Sequence, residues 1–130
     1  MKHQNGARCL RCEEKLKEAN PEIVSFFYWL KPRYQKIHIS WTFRDQANQD
    51  QFFMRGTSKL KWPNSPHNAT DLMGKADSHA IDLFVLDDDK ALWPIETFKA
   101  IAKDVRDNKI PMIWGGDFIH LGDFDHFQMV

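Results

Sequence analysis

The sequence lacks the features that mark several large classes of protein. Cysteine is limited to Cys9 and Cys12, and no second Cys-x-x-Cys pair follows. Lysine and arginine number 18 and aspartate and glutamate also number 18, a balance that provides no basic surface for nucleic acid. No run approaches the roughly 18 apolar residues of a membrane span, and the N-terminus has no apolar segment of a signal peptide. We therefore expect no membrane insertion, and a chain that is cytoplasmic at synthesis.

The composition is typical of one globular domain. Hydrophobic residues make up 42% and charged residues 28% of 130 residues, enough for a single core. Periodicity predicts helices at 9–19, 21–30, 46–56 and 93–108, and strands at 36–43, 79–86 and 126–130. The order of these elements predicts an α+β fold, a small antiparallel sheet flanked by helices. We divide the single domain into an N-terminal helical segment, residues 1–35, and a core, residues 36–130.

Local signals set several boundaries. Asn20 followed by Pro21 predicts an N-cap and the first residue of a helix. Asp45 is expected to cap the next helix, and Gly56 to end it. Residues 69–77 show no period and are expected to form a loop. The first helix, 9–19, is expected to be short and exposed.

Two stretches bring metal-ligating residue types into the second half of the chain. The closing stretch contains Asp123-x-x-His126, and an upstream stretch contains His67, His79 and Asp82. Two imidazoles and one carboxylate form a zinc-binding set that leaves one position open for water. Strand alternation places His79 and Asp82 on opposite faces, which favours His67 as the partner of Asp82 and keeps His79 as the alternative.

The remaining cysteines and histidines have plainer interpretations. Cys9 and Cys12, with His3 nearby, could form half of a zinc site or a redox pair, but two reduced thiols near a helix start are the preferred interpretation. His38 lies on the polar face of its predicted strand, so we expect it at the surface or behind a ligand. His120 lies in a glycine-flanked loop and is expected to line a groove.

Several motifs in order resemble the zinc D-alanyl-D-alanine carboxypeptidase and L-alanyl-D-glutamate endopeptidase family, the VanY-like peptidases that include many phage endolysins. The motifs are Arg44 with Gln49 and Gly56-Thr57-Ser58-Lys59, then Ser65-Pro66-His67, Ala80-Ile81-Asp82, Trp114-Gly115-Gly116-Asp117-Phe118 and Asp123-Phe124-Asp125-His126-Phe127. The resemblance spans roughly residues 37 to 130. The spacing between His67 and Asp82 is longer than in the family, and the extra residues are about 69 to 77.

The resemblance implies a fold of the Hedgehog and D,D-peptidase type and a Zn²⁺ cofactor. It implies that His67, Asp82 and His126 bind the zinc ion and that Asp123 is the general base. It also implies that the substrate is a peptidoglycan peptide.

The same resemblance implies roles for three polar residues upstream. Arg44 would stabilise the oxyanion, and Ser65 and Gln49 would orient a ligand or the substrate. The alternative for Arg44 is a surface ion pair with Asp45 or a neighbour.

The function that the resemblance implies is hydrolysis by an endolysin-type L-alanyl-D-glutamate endopeptidase. We expect a monomer that acts in the cell wall after release from the cytoplasm. Two alternatives remain on the same fold, a D-alanyl-D-alanine carboxypeptidase and a non-catalytic binding module of a cell wall or virion. A third hypothesis is a zinc-free domain whose histidines are incidental.

Overall fold

The computed structural model describes residues 9–118 and 122–130. Its helices are α1 (Leu10–Leu16), α2 (Pro21–Leu30), α3 (Gln46–Met54) and α4 (Ile95–Asp107). Its strands are β1 (Ile37–Trp41), β2 (Ala80–Asp87), β3 (Lys90–Leu92), β4 (Met112–Trp114) and β5 (His126–Met129). Short 3-10 helices lie at Pro66–Asn68 and Gly115–Asp117. The predicted α+β fold with a small antiparallel sheet is confirmed.

The sheet is built around β2. Its order is β1, β2, β5, β4, every pairing is antiparallel, and β3 folds back onto the end of β2. The nearly continuous apolar run of β2 explains this central place, because Ile81 and Leu83 are fully buried. The register sets Asp82 opposite both Trp41 of β1 and His126 of β5. Residues far apart in the sequence thus become neighbours at one point of the sheet.

The helix boundaries follow the predicted capping chemistry. The side chain of Asn20 accepts a hydrogen bond from the Glu22 backbone N–H, and α2 begins at Pro21. The side chain of Asp45 accepts from the Asn48 N–H at the start of α3. Gly56 follows the end of α3 with a φ of +76°, a conformation that glycine adopts without strain.

One core joins the N-terminal helices to the sheet. Phe26 of α2 packs against Phe127 of β5, with ring centroids 5.4 Å apart. Phe98 and Ile101 of α4 are fully buried in the same cluster. The described part of the predicted N-terminal segment is therefore continuous with the predicted core.

His38 is expected at the surface or behind a ligand, and of these two positions the surface one is wrong. His38 alternates onto the face of β1 that strand periodicity marks as polar, but α1 covers that face and the residue is buried. For the same reason α1 is not an exposed helix, because Cys12 and Leu16 on its inner side are buried. Alternation gives the face of a side chain, and packing between layers decides whether solvent reaches it.

Two strands escaped the sequence analysis because each has three residues. Asp88 and Asp89 adopt positive φ in the turn between β2 and β3, so the predicted acidic turn is present but a strand follows it. β4 pairs with β5 just before the Gly115-Gly116 pair. Three residues are too few for a period to show.

The extra residues, 69–77, form an exposed loop. Thr70 and Ala76 make an isolated antiparallel bridge, and the Asp71 carboxylate accepts the backbone N–H groups of Met73 and Lys75 inside it.

In the described ranges, none of the helices combines the length with the apolar character that a bilayer crossing requires.

We expect Phe98→Ala to lower the free energy of unfolding by about 3–5 kcal/mol, because it removes a fully buried ring from the shared core. Chemical denaturation followed by circular dichroism would measure this change. Leu72→Ala is the control, because Leu72 is fully exposed and its truncation should alter stability by less than about 0.5 kcal/mol. Equal effects of the two changes would contradict the assignment of this core.

Candidate metal centre

His67, Asp82 and His126 come from three separate elements and bring their donor atoms together. His67 Nε2 lies 3.2 Å from Asp82 Oδ2, and His126 Nδ1 lies 2.9 Å from Asp82 Oδ1. The two imidazole nitrogens, His67 Nε2 and His126 Nδ1, are 3.3 Å apart. A tetrahedral zinc ion with bonds of about 2.0–2.1 Å separates neighbouring nitrogen and oxygen donors by about 3.3 Å. The three buried residues therefore fit a zinc ion in spacing and in chemical type.

Hydrogen bonds on the far side of each imidazole orient the nitrogen that faces Asp82. His67 Nδ1 donates to the Thr42 carbonyl oxygen at 2.6 Å, which directs Nε2 at Asp82. His126 Nε2 lies 2.8 Å from Gln128 Oε1, which directs Nδ1 at the same carboxylate. The Ser65 hydroxyl accepts from the His67 backbone N–H at 3.2 Å. Outer contacts of this kind hold metal-binding histidines in place.

The charge at the centre of the group belongs to Asp82. Burial raises the pKa of Asp82, but the charge of His67 and the hydrogen bonds of both histidines outweigh it and hold the pKa well below its usual range. Burial lowers the pKa of His126, but the hydrogen bond and charge of Asp82 outweigh it and raise the pKa to about 9. Asp82 is therefore held as an anion, the form in which a carboxylate binds a metal cation.

Two further carboxylates lie beside the group. Asp123 Oδ2 is 3.8 Å from His126 Nδ1, and the Asp123 side chain is 38% exposed. Burial, and then the nearby charge of Asp82, raise the pKa of Asp125 to about 8. The sequence analysis assigned a role to Asp123 and none to Asp125. The sequence signal for Asp125 was its spacing from Asp123 in the run Asp123-Phe124-Asp125 before His126. Side chains two residues apart can lie on the same side of the backbone, so both carboxylates can face the same site.

Arg44 is buried against the same carboxylate. Its Nη2 lies 3.3 Å from Asp82 Oδ2, its Nη1 donates to Gln49 Oε1 at 3.0 Å, and its guanidinium carbon lies 4.1 Å from the centre of the Phe52 ring. Among the described residues, the Arg44 Nε is buried without a hydrogen-bond partner. The alternative of a surface ion pair with Asp45 is wrong, because Asp45 caps α3 and Arg44 is buried.

Gln49 is fully buried and connects Arg44 to the Gly-x-Ser-Lys loop. Its amide oxygen accepts from Arg44, and its Nε2 donates to Ser58 Oγ at 3.0 Å and to the Leu60 carbonyl at 2.7 Å. Gln49 does not line the cavity that the site opens into, whereas Ser65 does. Gln49 is therefore placed to contact Arg44 rather than a ligand in the cavity.

The other two histidines in the described ranges lie apart from this group. His79 is 43% exposed, and its Nε2 is 3.7 Å from Asp77 Oδ2. His38 groups with Cys9 and Cys12. His120, predicted to line a groove, lies outside the described residues.

Gly115 allows the closing loop to approach the centre. A Cβ placed on Gly115 would lie 2.2 Å from the Asp123 carbonyl oxygen and 3.0 Å from His126 Cβ. The Gly115 carbonyl also accepts the backbone N–H of Asp123 at 3.1 Å. Only glycine fits this contact, so the Trp-Gly-Gly segment sets the position of Asp123 relative to His126.

The group opens into a cavity of about 820 Å³. Asp123 and Asp125 line it beside the three candidate metal ligands. Its other walls carry aromatic rings and one flexible cation, contributed by Trp41, Phe52, Trp93, Phe118 and Lys59. A pocket of this size, with a few convergent polar groups among aromatic side chains, is a typical ligand site.

The fold is shared with a solved structure, the L-Ala D-Glu endopeptidase ChiX of Serratia marcescens. The TM-score is 0.72 at 23% sequence identity, and the match covers 93% of this chain and 87% of ChiX. It therefore extends into the N-terminal segment, beyond the span of the sequence motifs. No protein-family model and no curated protein matches the chain.

We expect Gln128→Leu to weaken zinc binding by roughly 10- to 100-fold, because the change removes the acceptor that orients His126. Competition with a chromogenic chelator would measure the affinity. Gln35→Leu is the matched control, because Gln35 is exposed and does not line the cavity. Unchanged affinity in Gln128→Leu would show that the orienting bond is not needed.

Proposed function

We propose that this chain is a zinc-dependent peptidase that hydrolyses the L-alanyl-D-glutamate bond in the stem peptides of bacterial peptidoglycan. The observation that carries the proposal is the buried group His67, Asp82 and His126, open to a cavity that Asp123 also lines. Two other findings support it. The sequence motifs resemble a family of zinc peptidases that act on cell walls, and the fold is shared with an L-Ala D-Glu endopeptidase.

His67, Asp82 and His126 would hold the zinc ion, which supplies a Lewis acid and lowers the pKa of water toward ~7. Asp123 lies beside these ligands and has more access to solvent, since its side chain is 38% exposed and theirs are at most 12% exposed. We assign to Asp123 the general base, which accepts a proton from water and returns it to the leaving amine. Its place beside His126, set by the close contact at Gly115, puts it within reach of water in the cavity.

We assign to Arg44 the stabilisation of the negative charge that develops on the substrate carbonyl oxygen. It lines the cavity, and its guanidinium is held by Gln49 and by Phe52. A donor that is already fixed needs no rearrangement as charge develops, which makes it effective in stabilising a transition state. Ser65 is assigned to the orientation of His67 through the backbone N–H of that residue.

The cavity walls fit a peptide that carries a carboxylate. Lys59 is exposed at the cavity and offers a cation to the free carboxylate of a D-glutamate residue. Trp41 and Trp93 offer flat apolar surfaces to the aliphatic parts of the peptide. We expect Lys59 to contribute to substrate binding rather than to the chemical step.

We expect Asp123→Asn to lower kcat by about 10²–10⁴-fold while zinc binding persists, because the amide keeps the shape and loses the base. Asp125→Asn is the comparison, since Asp125 lines the same cavity, and its kcat should fall by much less. Hydrolysis of purified peptidoglycan and elemental analysis of both variants would measure the two effects. A larger loss of kcat in Asp125→Asn than in Asp123→Asn would identify Asp125 as the general base.

The reaction products identify which bond of the stem peptide is cleaved. Cleavage at L-alanyl-D-glutamate creates a new amino group on D-glutamate, which amine labelling and mass spectrometry detect. Release of free D-alanine would instead identify a D-alanyl-D-alanine carboxypeptidase. Zinc binding with no product from any stem peptide would favour a non-catalytic binding module, and a chain that binds no zinc would overturn the proposal.

A further inference from the structure

A second group of metal-ligating side chains lies outside the candidate centre. Cys9, Cys12 and His38 are all buried, with side-chain donors gathered between α1 and β1. His38 Nδ1 lies 3.3 Å from Cys9 Sγ and 3.7 Å from Cys12 Sγ. The group shares no residue with His67, Asp82 and His126.

The spacing of these donors matches a tetrahedral metal ion. Zinc bonds of about 2.3 Å to sulfur and about 2.0–2.1 Å to nitrogen separate neighbouring sulfur and nitrogen ligands by about 3.5 Å. The two observed distances from His38 Nδ1, 3.3 and 3.7 Å, lie on either side of this value. Two thiols and an imidazole are also the soft and borderline donors that select zinc over magnesium or calcium.

Backbone N–H groups are already directed at both sulfur atoms. The Cys12 N–H donates to Cys9 Sγ at 3.2 Å, and the Ile39 N–H donates to Cys12 Sγ at 3.4 Å. Hydrogen bonds of this kind stabilise the negative thiolate that a metal ion requires. They also fix the direction of each side chain before any ion binds.

A redox function fits this group less well than a metal function. Cys12 is 1% exposed and Cys9 7% exposed, so little of either sulfur is open to an oxidant.

We propose that Cys9, Cys12 and His38 form a second zinc site, which is structural and holds α1 against β1. The three ligands would hold an ion that links the N-terminal helix to the edge strand of the sheet.

This site would support the catalytic centre through Thr42, which directly follows β1. The Thr42 hydroxyl donates to the Lys15 carbonyl of α1 at 2.6 Å, and the Thr42 carbonyl accepts from His67 Nδ1 at 2.6 Å. The packing of α1 on β1 therefore positions the acceptor that orients His67. Loss of the second zinc should lower stability first and catalysis only indirectly.

Cobalt titration of the full wild-type chain tests the proposal without any substitution. Co²⁺ bound by thiolates produces an intense near-ultraviolet charge-transfer band, which Co²⁺ bound by histidines and a carboxylate lacks. We expect two metal ions per chain, with the thiolate band saturating at one equivalent. A wild-type chain that shows no thiolate band, or that carries a Cys9–Cys12 disulfide when isolated under mild conditions, would overturn the proposal.

Variants separate the two sites. Cys9→Ser with Cys12→Ser should bind one metal ion, lose the thiolate band and unfold at a lower temperature than wild type. His126→Ala should also bind one ion but keep the band, so failure of the catalytic proposal cannot be mistaken for failure of this one. His38→Gln is a milder variant that keeps the helix cap at Cys9, and it should weaken the band. An unchanged band in His38→Gln would remove His38 from the site.

Discussion

A buried carboxylate on the central strand, Asp82, is the constraint on which the rest of the site depends. It has two imidazoles and one guanidinium within 3.3 Å, and a buried charge without such partners would be costly. His67, His126 and Arg44 come from different elements, so the compensation exists only when the sheet and its flanking turns are assembled. The same charge that requires these partners would also attract a metal cation. Folding and metal affinity would therefore depend on one set of contacts.

β1 carries the connection between this centre and the N-terminal helices. Its pairing with β2 shifts between Ile39 and Trp41, a local irregularity that changes the direction of the side chains that follow. Before the shift, His38 faces the cysteines of α1, and after it Trp41 lines the cavity. One short edge strand thus contributes His38 to one candidate metal group and Trp41 to the wall of the cavity at the other.

Sequence reasoning succeeded where the cause is local. The caps at Asn20 and Asp45 depend on a side chain and an N–H two or three residues away, and both are present as predicted. Strand alternation placed Asp82 on the face opposite Ile81 and Leu83, which are buried in the core. The same reasoning failed for His38, because a polar face of a strand is exposed only when no other layer covers it. It also passed over Asp125, because the burial that raises the pKa of this residue to about 8 comes from packing of the closing loop.

The sequence by itself determined the types of the main elements, the order of the motifs and the donor types available for a metal ion. These follow from periodicity and capping, which are properties of residues close together in the chain. Only the tertiary structure decided that His67 rather than His79 meets Asp82, and that His38 joins the two cysteines. Those choices are distances between residues that are far apart in the chain. Strand register and the packing of α1 on the sheet set such distances, and neither can be read from a short stretch of residues.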